Sequence, residues 1–67
     1  MKQTRLIKLK EVMNLTALRR STIYKKMKEG AFPKSVSLGD RAVAWIEREI
    51  EDWIEEIIAQ REKEDNC

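Results

Sequence analysis

The stretch of sequence that decides the fold runs from Arg19 to Gly30 and reads RRSTIYKKMKEG. Ile23 and Met27 lie four residues apart, so on a helix they share one side. The opposite side carries cations and hydroxyl groups. Gly30 can adopt the left-handed conformation that follows the last turn of a helix. The pattern predicts a short helix that packs through one face and presents a basic face to solvent.

A second short helix is predicted just before this stretch. Lys10–Thr16 (KEVMNLT) has apolar residues at helical spacing, and Thr16–Leu18 is the expected turn. The following helix is then expected to span Arg20–Glu29. Its N-cap is either Arg19 or Ser21, whose hydroxyl can accept a bond from the first helical turn. Two short helices joined by so tight a turn have the spacing of a helix-turn-helix.

A small β-hairpin is predicted after the helix pair. Lys34–Trp45 (KSVSLGDRAVAW) alternates apolar and polar residues on both sides of a turn at Gly39–Arg41. An isolated hairpin is marginally stable in water, so its apolar side chains must pack on the helices. The side chains expected to do so are Val36 or Leu38, together with Val43 and Trp45.

The longest helix is predicted over Glu47–Glu62. Apolar residues recur here at i, i+4, i+7, i+8, i+11 and i+12. They are Ile46, Ile50, Trp53, Ile54, Ile57 and Ile58. Acidic residues crowd the first turns, where they complement the helix dipole. The apolar stripe is long for so small a core, so Ile57 and Ile58 are expected to extend past it.

In this order the segments predict a mainly α fold with a small β-hairpin. The architecture is a winged helix-turn-helix with two short helices, a wing hairpin and a longer C-terminal helix. The 67 residues are expected to form one domain, with residues 1–4 and 63–67 frayed. A chain of this length buries only about 60% of the surface that it exposes when unfolded, so its core is small.

The charges are distributed unevenly along the chain. Residues 1–46 hold eleven Lys/Arg and three Asp/Glu, a net charge of +8, whereas residues 47–67 hold three and nine, a net charge of −6. A basic front and an acidic back suggest a polyanionic partner on the basic side. The alternative is that both are solvated faces without a partner.

The composition also argues against several classes of protein. There is no histidine, and the one cysteine is Cys67, so neither a disulfide framework nor a cysteine-based metal site is expected. The carboxylates concentrate on one solvent-facing helix rather than in a pocket. We therefore expect no catalytic residues, no metal, no cofactor and no enzymatic activity. No apolar run is long enough for a membrane span or a secretory signal, and a cytoplasmic location is expected.

Several short motifs resemble the AlpA family of small prophage regulators, part of the excisionase-like, MerR-like group of winged-helix proteins. They are Arg5–Ile7, Leu9–Val12, Ser21–Tyr24 (STIY), Lys28–Pro33 (KEGAFP) and Leu38–Trp45, with Trp53 in the last helix. The resemblance covers about Arg5–Ile57. Two positions depart from it: the turn has Ala17, Leu18 and Arg19 where the family often has Gly-Leu-Ser, and Asp40 replaces a small residue at the wing tip. Alanine tolerates a left-handed conformation less well than glycine.

The resemblance implies sequence-specific binding of double-stranded DNA by a transcriptional regulator of the prophage or mobile-element type. A basic helix can enter the major groove, and a wing can reach the adjacent backbone or minor groove. The candidates for base contacts are Arg20, Ser21, Thr22 and Lys25. The candidates for phosphate contacts are Arg19, Tyr24, Lys26 and Lys28, with Lys34 at the wing base. Arg41 at the wing tip is a candidate for contact with the minor groove or its flanking phosphates.

Other interpretations remain open at this level. Ser21 can serve only as a cap, Tyr24 as a half-buried aromatic at the helix flank, and Lys26 as a solvated cation. An excisionase-like recombination directionality factor needs the same small winged helix. A protein-interaction module is the other alternative, in which the C-terminal helix contacts a second copy, RNA polymerase or a recombinase.

Overall fold

The computed structural model describes residues 5–65 and contains three helices and three short strands. In chain order they are β1 (Leu6–Ile7), α1 (Leu9–Thr16), α2 (Arg20–Lys28), β2 (Val36–Gly39), β3 (Ala42–Ile46) and α3 (Glu47–Asp65). The predicted winged helix-turn-helix is confirmed. The first helix begins one residue earlier than predicted, and the second ends one residue earlier.

The strands form one antiparallel sheet in the order β1-β3-β2. The predicted hairpin is present as β2 and β3, with Val36 opposite Ala44. The sequence did not predict that β1 would pair with β3, where Leu6 lies opposite Ile46. At its end, the Glu47 N–H donates to the Arg5 carbonyl oxygen at 2.8 Å. The residue before β1 is thereby joined to the start of α3.

The core is assembled from almost every element. Its buried side chains are Ile7, Val12, Ile23, Phe32, Trp45 and Ile50. Half-buried apolar residues surround them: Leu9, Met13, Leu18, Met27, Trp53 and Ile54. Because each helix supplies a single fully buried side chain, no pair of elements could form this core alone.

The turn between α1 and α2 depends on an alanine in the left-handed conformation. Ala17 has φ 62° and ψ 24°, and its N–H donates to the Met13 carbonyl oxygen at 2.8 Å. The Thr16 hydroxyl donates to the Val12 carbonyl oxygen at 2.7 Å. Leu18 then packs against the core. This arrangement closes the last turn of α1 with a single left-handed residue.

The N-cap of α2 is Arg19, one of the two alternatives left open by the sequence. Arg19 is extended, with φ −76° and ψ 158°, and the Ile23 N–H donates to its carbonyl oxygen at 3.0 Å. No side chain caps this end of the helix. The alternative that Ser21 caps the helix is wrong, because Ser21 already lies inside the first turn.

The tip of the hairpin packs less than predicted. Residues 37–43 are all exposed, so Leu38 and Val43 do not pack on the helices. Ser37 lies opposite Val43 and Gly39 opposite Ala42, which makes Leu38 the extra residue of a β-bulge. Burial begins only at Ala44 and Trp45, further from the turn.

Helix α3 continues beyond the core. It has 19 residues, which corresponds to about 28 Å. Ile50 is buried, Trp53 and Ile54 are half-buried, and residues 55–63 are exposed. Ile57 and Ile58 keep 45% and 44% of their surface exposed, so the prediction that the stripe extends past the core is confirmed. The helix reaches Asp65, past the predicted end near Glu62. The fraying expected at residues 1–4, 66 and 67 lies outside the described residues.

Candidate nucleic-acid interface

Helix α2 is attached to the domain through one side and one flank. Ile23 is fully buried, and Met27 packs beside it against the core. The ring of Tyr24 lies edge-on to that of Trp45, with centroids 6.4 Å apart and an interplanar angle of 64°. Tyr24 is nevertheless 40% exposed, so it packs on the flank of the helix and still reaches solvent.

The solvent side of α2 is basic and accessible. Arg20, Ser21, Lys25 and Lys28 are all exposed, and we call these four residues the basic face of α2. At about 100° per residue, Ser21, Lys25 and Lys28 point away from buried Ile23. Within residues 5–65, no carboxylate forms an ion pair with these cations. Their charge is therefore available to an external anion.

The other flank of α2 is less accessible. Thr22 and Lys26 lie four residues apart, on the same side of the helix, and both are half-buried. The stem of Lys26 therefore covers protein surface, as long cationic side chains often do. Among the predicted residues of α2, these two are the least favourably placed for external contacts.

The C-terminus of α2 has the ending that Gly30 predicted. Gly30 has φ 77°, and its N–H donates to the Met27 carbonyl oxygen at 3.1 Å. The Ala31 N–H donates to the Lys26 carbonyl oxygen at 2.8 Å. This pair of bonds forms a Schellman motif and stops the helix at a fixed point. The chain then turns sharply toward Phe32 and the wing.

The connection between α2 and the wing is held by two tryptophans. Trp45 donates through Nε1 to the Pro33 carbonyl oxygen at 3.2 Å, and Trp53 donates through Nε1 to the Ala31 carbonyl oxygen at 2.9 Å. Between these bonds, the ring of Phe32 lies edge-on to that of Trp53 with centroids 4.8 Å apart. The basic face and the wing are therefore positioned by the same three aromatic residues.

The wing tip presents a single cation. Gly39 has φ 128° and Arg41 has φ 58°, so the turn uses two residues with positive φ around Asp40. Arg41 is exposed, as is Arg19 at the start of α2. The prediction that Arg41 contacts DNA stays a prediction, but the residue is accessible at the end of the hairpin.

Lys34 lies in a different environment from the other candidates. It lines a cavity together with Glu49, Asp52 and Glu56 of α3. Three carboxylates beside one lysine create a local potential that disfavours a phosphate. Among the predicted residues, Lys34 is therefore the one least suited to the DNA backbone.

Two exposed lysines at the start of α1, Lys8 and Lys10, are absent from the set predicted by the sequence. In helix-turn-helix proteins the first helix crosses the DNA backbone, which makes these lysines further candidates for phosphate contacts. Apolar periodicity gives no signal for such residues, because it identifies the buried side of a helix and not which cations share a surface.

The winged helix-turn-helix fold and the exposed basic face of α2 are typical of small winged helix-turn-helix regulators. The chain matches the family described as "Prophage CP4-57 regulatory protein (AlpA)" over residues 5–58, and it belongs to that family. It is 44% identical over 61 residues to the uncharacterized protein ORF88 of Enterobacteria phage P4, covering 91% of this chain and 69% of that protein. It is also 36% identical over 56 residues to the DNA-binding transcriptional activator AlpA of Escherichia coli (strain K12), covering 75% and 80% respectively.

Membership in the AlpA family indicates the general type of function. The family is one of phage-type transcriptional regulators that bind DNA, and it is not a class of enzymes. In the part of the chain that the structure describes, no helix has the length and apolarity to cross a membrane.

Proposed function

We propose that this protein binds double-stranded DNA sequence-specifically and regulates transcription in a prophage or mobile element. Helix α2 enters the major groove, and the hairpin contacts the adjacent backbone or minor groove. Since such a regulator acts on DNA, we place it in the cytoplasm. The observation that carries this proposal is the basic face of α2, which is exposed and free of carboxylate partners within residues 5–65.

We divide the contacts of α2 between bases and phosphates. The N-terminal residues of a recognition helix read base edges, so Arg20 and Ser21, followed by Lys25, are assigned to the major groove. Arg19 and Lys28 are assigned to phosphates, which fix the register without reading sequence. The wing contributes its tip cation to the minor groove or its flanking phosphates.

The remaining predicted residues have smaller roles in this arrangement. Thr22 and Lys26 are half-buried, and Tyr24 holds the flank of α2 through Trp45. We keep Thr22 as a base candidate and the other two as phosphate candidates, each with a weaker expected effect than the basic face. Lys34 is the candidate with the weakest support, because Glu49, Asp52 and Glu56 line the same cavity.

The salt dependence of binding tests the proposal. Each neutralised phosphate contributes about −0.9 to the slope of log K against log salt concentration for B-DNA. Five or six phosphate contacts therefore predict a slope of about −5. The slope can be measured by fluorescence anisotropy with a labelled duplex between low and physiological salt. An affinity independent of salt, or no binding at low salt, contradicts the proposal.

Two variants separate base contacts from phosphate contacts. Arg20→Ala is expected to lose about 1–3 kcal/mol of discrimination at one position of the binding site. Lys28→Ala is expected to weaken binding to all sequences alike and to reduce the salt slope by about 1. Arg61→Gln removes one exposed cation from α3 and serves as a control that should change neither quantity. Identical effects of the first two variants contradict the division.

The name of one relative favours transcriptional activation over an excisionase-like role. That relative is the transcriptional activator AlpA of Escherichia coli (strain K12). A footprint distinguishes the two functions, since an activator is expected to protect a site upstream of a promoter. Several tandem protected sites beside an attachment site would instead indicate a recombination directionality factor.

The exposed end of α3 supports a protein contact in addition to DNA binding. Ile57 and Ile58 lie beyond the core, and a second copy, RNA polymerase or a recombinase are the partners proposed for them. A homodimer makes the melting temperature depend on protein concentration. A constant melting temperature together with a monomer mass in solution rules the homodimer out.

A further inference from the structure

A groove with an aromatic floor runs along one side of α3, and the proposed DNA binding does not use it. Its first part has a volume of about 730 Å³ and lies between α3 and the connection from α2 to the wing. Its floor is apolar: Phe32, Pro33, Val36, Ile46 and Trp53. Since Trp53 is only half-buried, a bound molecule can contact its ring.

A second cavity lies next to this groove, toward the end of α3. It has a volume of about 490 Å³ and is lined by Glu56, Ala59, Gln60, Glu62 and Lys63. Glu56 lines both cavities, so the two are adjacent along the helix. Their lining residues on α3 run from Glu49 to Lys63, which corresponds to about 21 Å of helix. This length accommodates about six residues of an extended peptide.

The charges of the first part determine which occupant it fits. Glu49, Asp52 and Glu56 lie along one wall, and Lys34 is the one cation among the described residues that line this part. Within residues 5–65, these three carboxylates have no ion-pair partner. An apolar floor beside unpaired carboxylates matches a segment that alternates apolar and cationic side chains. A cation above the ring of Trp53 gains further attraction from the aromatic face.

We propose that this groove, between α3 and the residues that connect α2 to the wing, binds an extended basic peptide segment of a partner protein. Lysine or arginine side chains of the segment contact Glu49, Asp52 and Glu56, and its apolar side chains cover the exposed parts of Val36 and Trp53. Nucleic acid is excluded as the occupant, because the wall repels phosphates. The groove therefore supplies a contact separate from the basic face of α2.

Tryptophan fluorescence measures this interaction without DNA, so its outcome is independent of the proposed DNA binding. The probe is a synthetic peptide of about six residues in which lysine and leucine alternate. A saturable change in fluorescence is expected, since Trp53 lies in the groove and Trp45 is fully buried. A peptide with glutamate in place of lysine is expected not to bind. Absence of binding by the lysine peptide, or equal binding of the two, overturns the proposal.

Matched variants test whether the groove, and not the general acidity of α3, holds the peptide. The double variant Asp52→Asn with Glu56→Gln removes two carboxylates that line the groove. Glu51→Gln with Glu55→Gln removes the same charge one residue earlier, at exposed positions outside the lining residues. We expect about fivefold weaker binding for the first pair, from two exposed ion pairs, and a less than twofold change for the second. Equal weakening by both pairs overturns the proposal.

Two further substitutions test the roles of Lys34 and Trp53 in peptide binding. Lys34→Gln removes the cation that opposes a basic peptide, so binding is expected to tighten about twofold. Trp53→Phe is expected to abolish the fluorescence change while binding persists by calorimetry. Unchanged or weaker binding by Lys34→Gln overturns the proposal. Sedimentation equilibrium tests the other occupant: self-association that the Asp52→Asn, Glu56→Gln variant reduces would replace the peptide by a second copy.

Discussion

Replacing Ala17 with glycine is expected to stabilise the protein. Ala17 ends α1 with φ 62° and ψ 24°, a conformation in which its Cβ approaches the following carbonyl oxygen. This geometry costs an L-residue roughly 1–2 kcal/mol. Glycine has no Cβ and adopts it freely, so Ala17→Gly removes the strain and keeps the bond from residue 17 to the Met13 carbonyl oxygen.

The expected gain is smaller than the strain itself. Glycine increases the conformational entropy of the unfolded chain, which costs about 0.4–1 kcal/mol. The net stabilisation is therefore about 0.5–1 kcal/mol. For a domain of this size, 1 kcal/mol shifts the melting temperature by about 4–8 °C, so a rise of roughly 3–6 °C is expected. Because side-chain burial is unchanged, the denaturant m-value should stay constant.

Thermal unfolding followed by circular dichroism measures this shift, and urea unfolding gives the free energy at 25 °C. Ala31→Gly is the matched control, because Ala31 also follows the end of a helix but has no positive φ. The same substitution there should lower stability by about 0.4–1 kcal/mol. Opposite signs for the two substitutions isolate the backbone conformation as the cause. A neutral or destabilising Ala17→Gly refutes the reasoning.

Three further substitutions test other parts of the fold. Gly30→Ala is expected to lower stability by about 1 kcal/mol in urea unfolding, because an added Cβ meets nothing within 4 Å and only the φ of 77° opposes it. Trp53→Phe keeps a ring beside Phe32 but removes the 2.9 Å bond to the Ala31 carbonyl oxygen, so a loss of about 0.5–1.5 kcal/mol is expected by thermal unfolding. Ile23→Val removes one fully buried methyl group and should lower the free energy of unfolding in urea by about 0.5–1.5 kcal/mol. Ile57→Val, the control at an exposed position, should change that free energy by less than about 0.5 kcal/mol.

The helices were the most predictable part of the fold. Ile23 and Met27 identified the packing side of α2, and the spacing of Ile50, Trp53 and Ile54 identified that of α3, because helical periodicity directly reflects which side is buried. The end of α2 followed from Gly30, since few other residues adopt its conformation. These predictions needed only local sequence.

The sheet was less predictable, because its pairing depends on distant residues. β1 has two residues, too few for a periodic pattern, and it forms by pairing with β3 some forty positions later. The exposure of Leu38 could not be read from alternation, since a β-bulge changes which residue faces the core. The turn conformation of Ala17 was detectable only as a departure from the family's usual glycine.

The candidate site also has parts that the sequence predicts and parts that it does not. The basic face of α2 was predictable because its residues lie on one short helix. The position of Lys34 was not, because the carboxylates that surround it come from α3, between fifteen and twenty-two positions away in the chain. The groove itself was also unpredictable, because its floor combines the connection after α2 with the sheet and α3.

The two indole bonds to Ala31 and Pro33 have a consequence for the proposed DNA binding. Because both carbonyl oxygens are held by side chains from β3 and α3, we expect the connection between α2 and the wing to be stiff, and helix and wing to move together. On the proposed mode of binding, such a unit contacts two stretches of DNA at one fixed separation and one fixed helical phase. The bases between the two contacts would then be selected through the twist of the duplex and not through direct contacts.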